Sequence, residues 1–379
     1  MKLGIYTYQR SSGWDQPLDG GLDSPQTLLI LFGASDHEAL AEGMESLRRT
    51  FAQAQWLGCS TAGEVLDKVL HDDSLVVAVA RFERVAIRSA VAAIEGAEDS
   101  LAAGRRLAEQ LDGPDLQAVL VLADGLHING SDLVMGLQGR LPKGVAVLGG
   151  LAADGDRFRR TWVLVNKAPS ERHIAAVGLY GTHVGIHFGF CGGWDRVGPE
   201  RLVTRARGNV LYQLDESPAL DIYKRDLGER AAGLPATGLL FPLAICNGNR
   251  ADQPTVRTLL GVSEAEGSIT FAGTIPEGAR VQLMYGNFER LVDAAAAAAE
   301  SCLPVPDDGR PVLSVAITCV GRRLVLGERA EEEIETMLDI LPPGTRQVGY
   351  YSYGEISPQA DGSCHLHNQT MTVTVLWEA

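Results

Sequence analysis

Trp56–Val65 reads WLGCSTAGEV, and Gln347–Ile356, close to the other end of the chain, reads QVGYYSYGEI. Both place a glycine, a hydroxyl residue and a Gly-Glu pair at the same offsets: Gly58, Thr61, Gly63 and Glu64 in one, Gly349, Ser352, Gly354 and Glu355 in the other. Each loop also closes the same kind of unit. TLLILFGA (27–34) is an apolar strand, and DHEALAEGMESLRRTF carries Leu40, Met44 and Leu47 at helical spacing behind Asp36 as N-cap. AQWLG is a second strand, and the valine-rich DSLVVAVARF after the loop is a buried one. PVLSVAITC (311–319), the helix ERAEEEIETMLDIL, the strand and loop TRQVGYYSYGEI, and TMTVTVLW, which alternates like a half-buried strand, repeat that order. The pattern also recurs in between, as LQAVLVLAD (116–124), the helix GSDLVMGLQGRL with Ser131 or Asp132 as cap, and GVAVLGG opening into LAADGD.

Parallel neighbours need a crossover connection, usually a helix, so this alternation dictates the fold class. We expect an α/β protein of two related domains with mixed β-sheets flanked by helices, built from repeated strand-helix-strand units, over 1–190 and 191–379. A chain of 379 residues is too long for a single core. The glycines of Gly189–Pro199 predict a turn-rich entry into the second domain. Beyond it, GNVLYQLD reads as a hairpin arm and SPALDIYKRDLG as a short helix with Pro218 near its start. SITFAGTIPEGARVQLMYG reads as two strands joined by the turn IPEG, and DAAAAAAESC as a packing helix.

Composition excludes several functions. The net charge of −15 and pI near 5.0, with scattered Lys and Arg, argue against nucleic acid. No stretch approaches the ~18–20 apolar residues of a membrane span, and the N-terminus has no signal-peptide run. The six cysteines never form CxxC, which fits neither a zinc site nor a secreted disulfide framework. The expectation is a cytoplasmic protein with reduced thiols and no membrane insertion.

Three uses of the Gly58–Glu64 loop are open. As a hydrolase elbow, with Ser60 or Cys59 as nucleophile, its second glycine falls one residue late and no base is evident. As a phosphate cradle it lacks the lysine and carries an acid. As a tight turn, its glycines let Glu64 face either a ligand or backbone donors. Ligands of open α/β sheets gather at the carboxyl ends of strands, so Ser60, Thr61, Glu64, Ser352 and Glu355 are candidate ligand-binding residues. Among the histidines, His183 and His187, and likewise His365 and His367, share a strand face. His367 stands beside Asn368, Gln369 and Thr370 just ahead of a core strand, an expensive place for polar atoms without a purpose. Asn368 joins the ligand-binding candidates, and His367 is the candidate metal ligand.

GCSTAGE, GGLAADG, GNVLYQLDESPALDIY, IPEGARVQLM, GYYSYGEISP and HNQTMTVTVL, in that order, resemble the landmarks of FIST-domain proteins, bacterial sensory proteins with paired FIST N and FIST C halves. The resemblance implies a stand-alone sensor that binds a small ligand, such as an amino acid. It also implies control of a partner signalling protein, a histidine kinase or a cyclic-di-GMP enzyme. A subgroup of similar length binds haem and senses nitric oxide; likeness in length and organisation implies haem here, with His367 as candidate ligand. A sensor of this kind is not an enzyme.

Overall fold

The computed structural model describes residues 1–246, 254–359 and 361–379. The hairpin after the second strand of each repeat decides the architecture. The first unit comprises β1 (Lys2–Gln9), β2 (Gly13–Trp14), β3 (Thr27–Ala34), α1 (Ala41–Thr50), β4 (Gln55–Thr61), the hairpin β5 (Glu64–Leu66) and β6 (Val69–His71), and β7 (Ser74–Arg81). The second comprises β8 (Ala86–Ala93), α2 (Ser100–Leu111), β9 (Leu116–Ala123), α3 (Gly130–Gln138), β10 (Ala146–Leu151), the hairpin β11 (Val163–Val165) and β12 (Ala168–Ser170), and β13 (His173–Tyr180).

The third unit opens with β14 (Val184–Cys191). An inserted segment comes next: β15 (Trp194–Arg207), β16 (Val210–Leu214), β17 (Ser217–Pro218), α4 (Ala219–Leu227), β18 (Leu243–Cys246), β19 (Thr255–Arg257), β20 (Leu259–Ser263), β21 (Ser268–Phe271) and β22 (Arg280–Gly286). The third unit then resumes with α5 (Phe288–Glu300), β23 (Leu313–Cys319), α6 (Val320–Leu326), α7 (Ala330–Ile340), β24 (Arg346–Ser352), the hairpin β25 (Gly354–Pro358) and β26 (Cys364–His367), and β27 (Met371–Glu378).

The parallel pairs share one register: Leu31 opposite Gly58, Val121 opposite Gly149, Ala316 opposite Gly349. Each unit then sends its hairpin into a neighbour's sheet. β5 pairs with β24, placing Glu64 opposite Tyr350; β25 pairs with β10, placing Glu355 opposite Gly150; and β11 pairs with β4 at Val163 and Cys59. The three sheets therefore run β12-β11-β4-β3-β7-β1-β2, β26-β25-β10-β9-β13-β8 and β14-β27-β23-β24-β5-β6. Strands from 1–190 and from 191–379 share two of them, and the repeat is threefold, its middle copy lying between the two Gly-Glu copies. A ring of backbone hydrogen bonds closes the exchange: Ala62 N to Tyr351 O (2.9 Å), Tyr353 N to Leu151 O (3.3 Å) and Ala153 N to Ser60 O (3.0 Å).

The sheets enclose a common core to which all three contribute, among them Phe32 and Leu57, Leu122 and Leu148, Ile317 and Tyr350. Helices cover the outer faces, α1 with Met44 and Leu47, α2 and α3 with Leu107 and Leu133, α7 with Met337. Burial on both faces explains why β3, β7 and β23 read as continuous apolar runs. β27 differs from its half-buried reading. It lies between β14 and β23, and every residue is buried. Its inward threonines are tolerated because they can bond the backbone, as Thr372 Oγ1 does to Ile317 O (2.9 Å).

The inserted segment forms a fourth sheet, ordered β19-β18-β22-β15-β16-β21-β20, packed with α4 around its own core. The expected turn-rich entry breaks the chain at two places: Gly192 and Gly193 separate β14 from β15, and Gly198 (φ +72°) lies where the pairing of β15 with β22 shifts register between Val197 and Arg201; β14 pairs with β27 along its whole length. Gly193 has φ +84°, and a Cβ there would lie 2.4 Å from Arg290 O. Two caps also differ from expectation. Asn129, not Ser131 or Asp132, caps α3, accepting from both their amides, and Asp36 makes no capping bond. No helix among the described residues is long and apolar enough to cross a membrane.

The shared glycine position is steric. A Cβ at Gly349 would lie 2.1 Å from Ala316 O, and one at Gly58 2.5 Å from Leu31 O, both in the partner strand's backbone. Gly349→Ala and Gly58→Ala should each cost about 2–3 kcal/mol of stability in denaturant melts. Gly20→Ala, where the nearest atom is 3.7 Å from the added Cβ, should stay near wild type. Wild-type melts for all three would contradict the strand packing.

Candidate functional site

The two Gly-Glu loops build the same corner. Thr61 Oγ1 donates to Glu64 Oε1 and accepts from Gly63 N (3.3 Å), while Ser74 N (3.2 Å) and Ser74 Oγ (2.7 Å) donate to Glu64 Oε2. In the third unit, Ser352 Oγ meets Glu355 Oε1 at 2.5 Å and accepts from Gly354 N (3.2 Å). Thr370 N (3.2 Å) and Oγ1 (2.8 Å) then donate to Glu355 Oε2. Each carboxyl ties the strand end where the hairpin leaves to the strand where it returns. The middle unit has Ala152 in the hydroxyl position and Gly155 in the glutamate position. There Asp154 accepts from Tyr353 OH (2.5 Å) and from the loop amides Arg159 N and Arg160 N (2.8 and 2.9 Å), without a bond to the returning strand among the described residues.

Thr61, Glu64, Ser352 and Glu355 are all buried, and their polar atoms bond one another and the returning strands. Ser60 is fully buried and accepts from Trp162 N (3.1 Å). Burial pushes the Cys59 thiol far above its ordinary value. Among the described residues, no histidine hydrogen-bonds to Ser60 or Cys59, so the base an activated nucleophile needs is not in reach.

The remaining two candidates line a cleft. Asn368 is held on both ends, Oδ1 accepting from Thr258 N (3.2 Å) and Nδ2 donating to Tyr353 O (3.2 Å). His367 Nε2 donates to Ser357 O (3.1 Å), and its ring lies against Phe190 with centroids 4.0 Å apart. Burial, with a smaller contribution from the charge of Arg257, lowers the His367 imidazole to about 4, so it is neutral at pH 7. With Thr370, these residues form one wall of a cleft of about 980 Å³. Ala294 and Ala297 of α5, with Phe190, Cys191 and the Gly192–Gly193 turn, extend that wall; Trp194, Val256 and Met284 of the fourth sheet face it. Arg290 and Asp195 pair at the rim.

The core side of the cleft is held by buried bonds. Trp194 Nε1 donates to Gln369 O (2.8 Å), and the fully buried Arg322 bonds Gly192 O, Leu291 O (2.7 Å) and Glu333 (2.6 Å). Glu333 also accepts from Tyr351 OH (2.9 Å). The third-unit corner thus abuts the cleft: Thr370 bonds Glu355 and lines it, and Asn368 reaches back to Tyr353. The first-unit corner, with Thr61 and Glu64, lines neither this cleft nor the smaller one beside α3. Sequence reasoning missed Phe190, Trp194, Met284 and Arg290. The signal for the first two was the FCGGW run, where Gly193 permits the approach of α5 beside a tryptophan.

Residues 27–217 match the FIST N domain and residues 219–358 the FIST C domain. The chain belongs to the FIST family, whose domains are ligand-binding modules of signal transduction. The two matches meet within the fourth-sheet segment. A comparison with curated proteins gives no significant match. Among solved structures, cyanuric acid hydrolase from A. caulinodans is 10% identical with a TM-score of 0.37, covering 100% of this chain and 98% of that one. PurLQS from Thermotoga maritima is 9% identical with a TM-score of 0.20, covering 100% and 72%. At these scores neither likeness bears on function.

The corners carry a pH signature. Burial pushes the Glu64 carboxyl up to about 7 and that of Glu355 to about 8, above the ordinary 4.5. The folded state therefore keeps protons that the unfolded chain has lost. Their stabilisation is complete below pH 4.5 and drains away as pH rises through the folded values. His367 acts with the opposite sign, but only below its ordinary 6.5. Between pH 6.5 and 8, stability should therefore fall by up to about 1.4 kcal/mol per pH unit for each carboxyl. Glu355→Gln keeps the protonated shape and should flatten that slope in urea melts; an unchanged slope would show that Glu355 does not hold its proton.

Proposed function

We propose that this FIST protein is a sensory module whose small ligand binds in the cleft of about 980 Å³ between the interlocked sheets and the fourth sheet. That cleft carries the reading. Its size is that of a small-molecule site, one wall is fixed by buried bonds, and the other belongs to a sheet with its own core. A lining of Phe190, Trp194, Met284 and Val256, with Asn368 and the Arg290–Asp195 pair at its edge, suits a molecule with an apolar body and a polar head. A ligand that binds one position of the fourth sheet better than another shifts that sheet. A partner, of the histidine kinase or cyclic-di-GMP enzyme class that the resemblance implies, would read the shift.

Haem is not part of this reading. His367 commits Nε2 to Ser357 O and packs its ring on Phe190, so an axial bond would need the other ring nitrogen or the loss of both contacts.

Ala297 faces the cleft from α5 and is only partly buried. In a thermal-shift screen of amino acids, other small metabolites and haemin, hits should stabilise wild type and leave Ala297→Trp unmoved. Ligand should also slow hydrogen exchange in β15 and β22. Hits that stabilise both proteins equally would remove the cleft from the mechanism. A Soret band with haemin that disappears in His367→Ala would replace this reading with a haem sensor.

A further inference from the structure

A second cleft, of about 650 Å³, lies on the other side of the contact between β19 and β26, bounded by α3, the fourth sheet and β26. Arg257 lines it and is only 7% exposed. Its donors go to neutral acceptors: Thr274 O (3.0 Å), Val256 O (3.0 Å), Leu366 O (3.2 Å) and Ser131 Oγ (3.2 Å). Among the described residues, one Nη2 N–H is left without a partner and Arg257 has no ion pair.

A buried charge without a counterion is strongly unfavourable, whereas neutral side chains could bridge the same carbonyls without that penalty. The charge is felt nearby, since Arg257 opposes protonation of both His365 and His367. By contrast, the buried Arg322 has its partner, Glu333, at 2.6 Å. Asp132 also lines the cleft, but it bonds Asn129 Nδ2 (3.0 Å) and makes no ion pair with Arg257. Its negative charge disfavours a dianion. The other lining residues include Val134, Ile245, Pro276 and Leu366, which favour an apolar body.

We propose that this cleft binds a small organic monocarboxylate, whose carboxylate supplies the counterion that Arg257 lacks among the described residues. The proposal does not depend on the first cleft. The ligand would lock the fourth sheet to α3 and β26, the elements Arg257 already bridges.

The test uses the full chain with acetate, hexanoate, phenylacetate, neutral phenylacetamide and inorganic phosphate, followed by calorimetry and thermal shift. Two variants are compared, Arg257→Gln and Gln138→Trp. The second narrows the cleft from α3 at a partly buried position and keeps Arg257, so it carries the test if the first fails to fold. Hexanoate and phenylacetate should bind wild type saturably and at least tenfold more weakly in either folded variant; phenylacetamide should not bind. Ala297→Trp should bind the carboxylates like wild type, which separates this site from the first cleft. Three outcomes would overturn the proposal: no saturable binding of any carboxylate to wild type, equal binding by Gln138→Trp, or phosphate binding more tightly than phenylacetate.

Discussion

Three backbone hydrogen bonds, from Ala62 to Tyr351, Tyr353 to Leu151 and Ala153 to Ser60, hold the point where the units trade hairpins. They fix the register of each visiting hairpin on its host sheet, and a one-residue slip would turn every side chain to the wrong face. The corners depend on the same point. Glu64 and Glu355 each join a departing strand to a returning one, and burying a carboxyl there is tolerated because hydroxyl and amide donors surround it. This answers why one loop is written at both ends of the chain: two of the three corners use it, whereas in the third Asp154 bonds, among the described residues, Tyr353 and its own loop and no returning strand.

Such an interlock leaves little freedom inside the three sheets. Moving one unit against another would break strand pairing as well as side-chain contacts. The inserted fourth sheet is different. Much of its polar attachment to the rest is local: Arg257 to Leu366 and Ser131, Thr258 to Asn368, Trp194 to Gln369. Both clefts lie along this seam. On the proposed reading, this seam is where binding energy would be converted into a change of position.

Some of this was legible in the sequence. The strands β3, β7, β9 and β23 stand out because burial on both faces demands unbroken apolar runs. The threefold repeat was visible in its glycines, since Gly58, Gly149 and Gly349 each face partner-strand backbone that no side chain could clear. His367 and Asn368 stood out because polar residues ahead of a core strand need partners, and the fold places both beside the first cleft. The hairpin exchange was not legible: EVL and GEISP look like continuations of the strands before them, and nothing local says which sheet they join. Nor was α6, whose seven residues give too short a period to detect. Arg257 was overlooked because a single arginine in TVRTLL is unremarkable until its bonds are seen to go, among the described residues, to neutral acceptors alone.

Native-state hydrogen exchange at Ala62, Ala153 and Tyr353 tests the interlock most directly. If the ring holds three mutually dependent units, these amides open only with global unfolding. They should then share one exchange free energy, equal to that from denaturant melts. Amides of β15 and β22, in the fourth sheet, should open at lower cost. A ring amide that exchanges through a separate, cheaper opening would mean that its unit can leave the other two, and the interlocked core would not be a fixed frame for the fourth sheet.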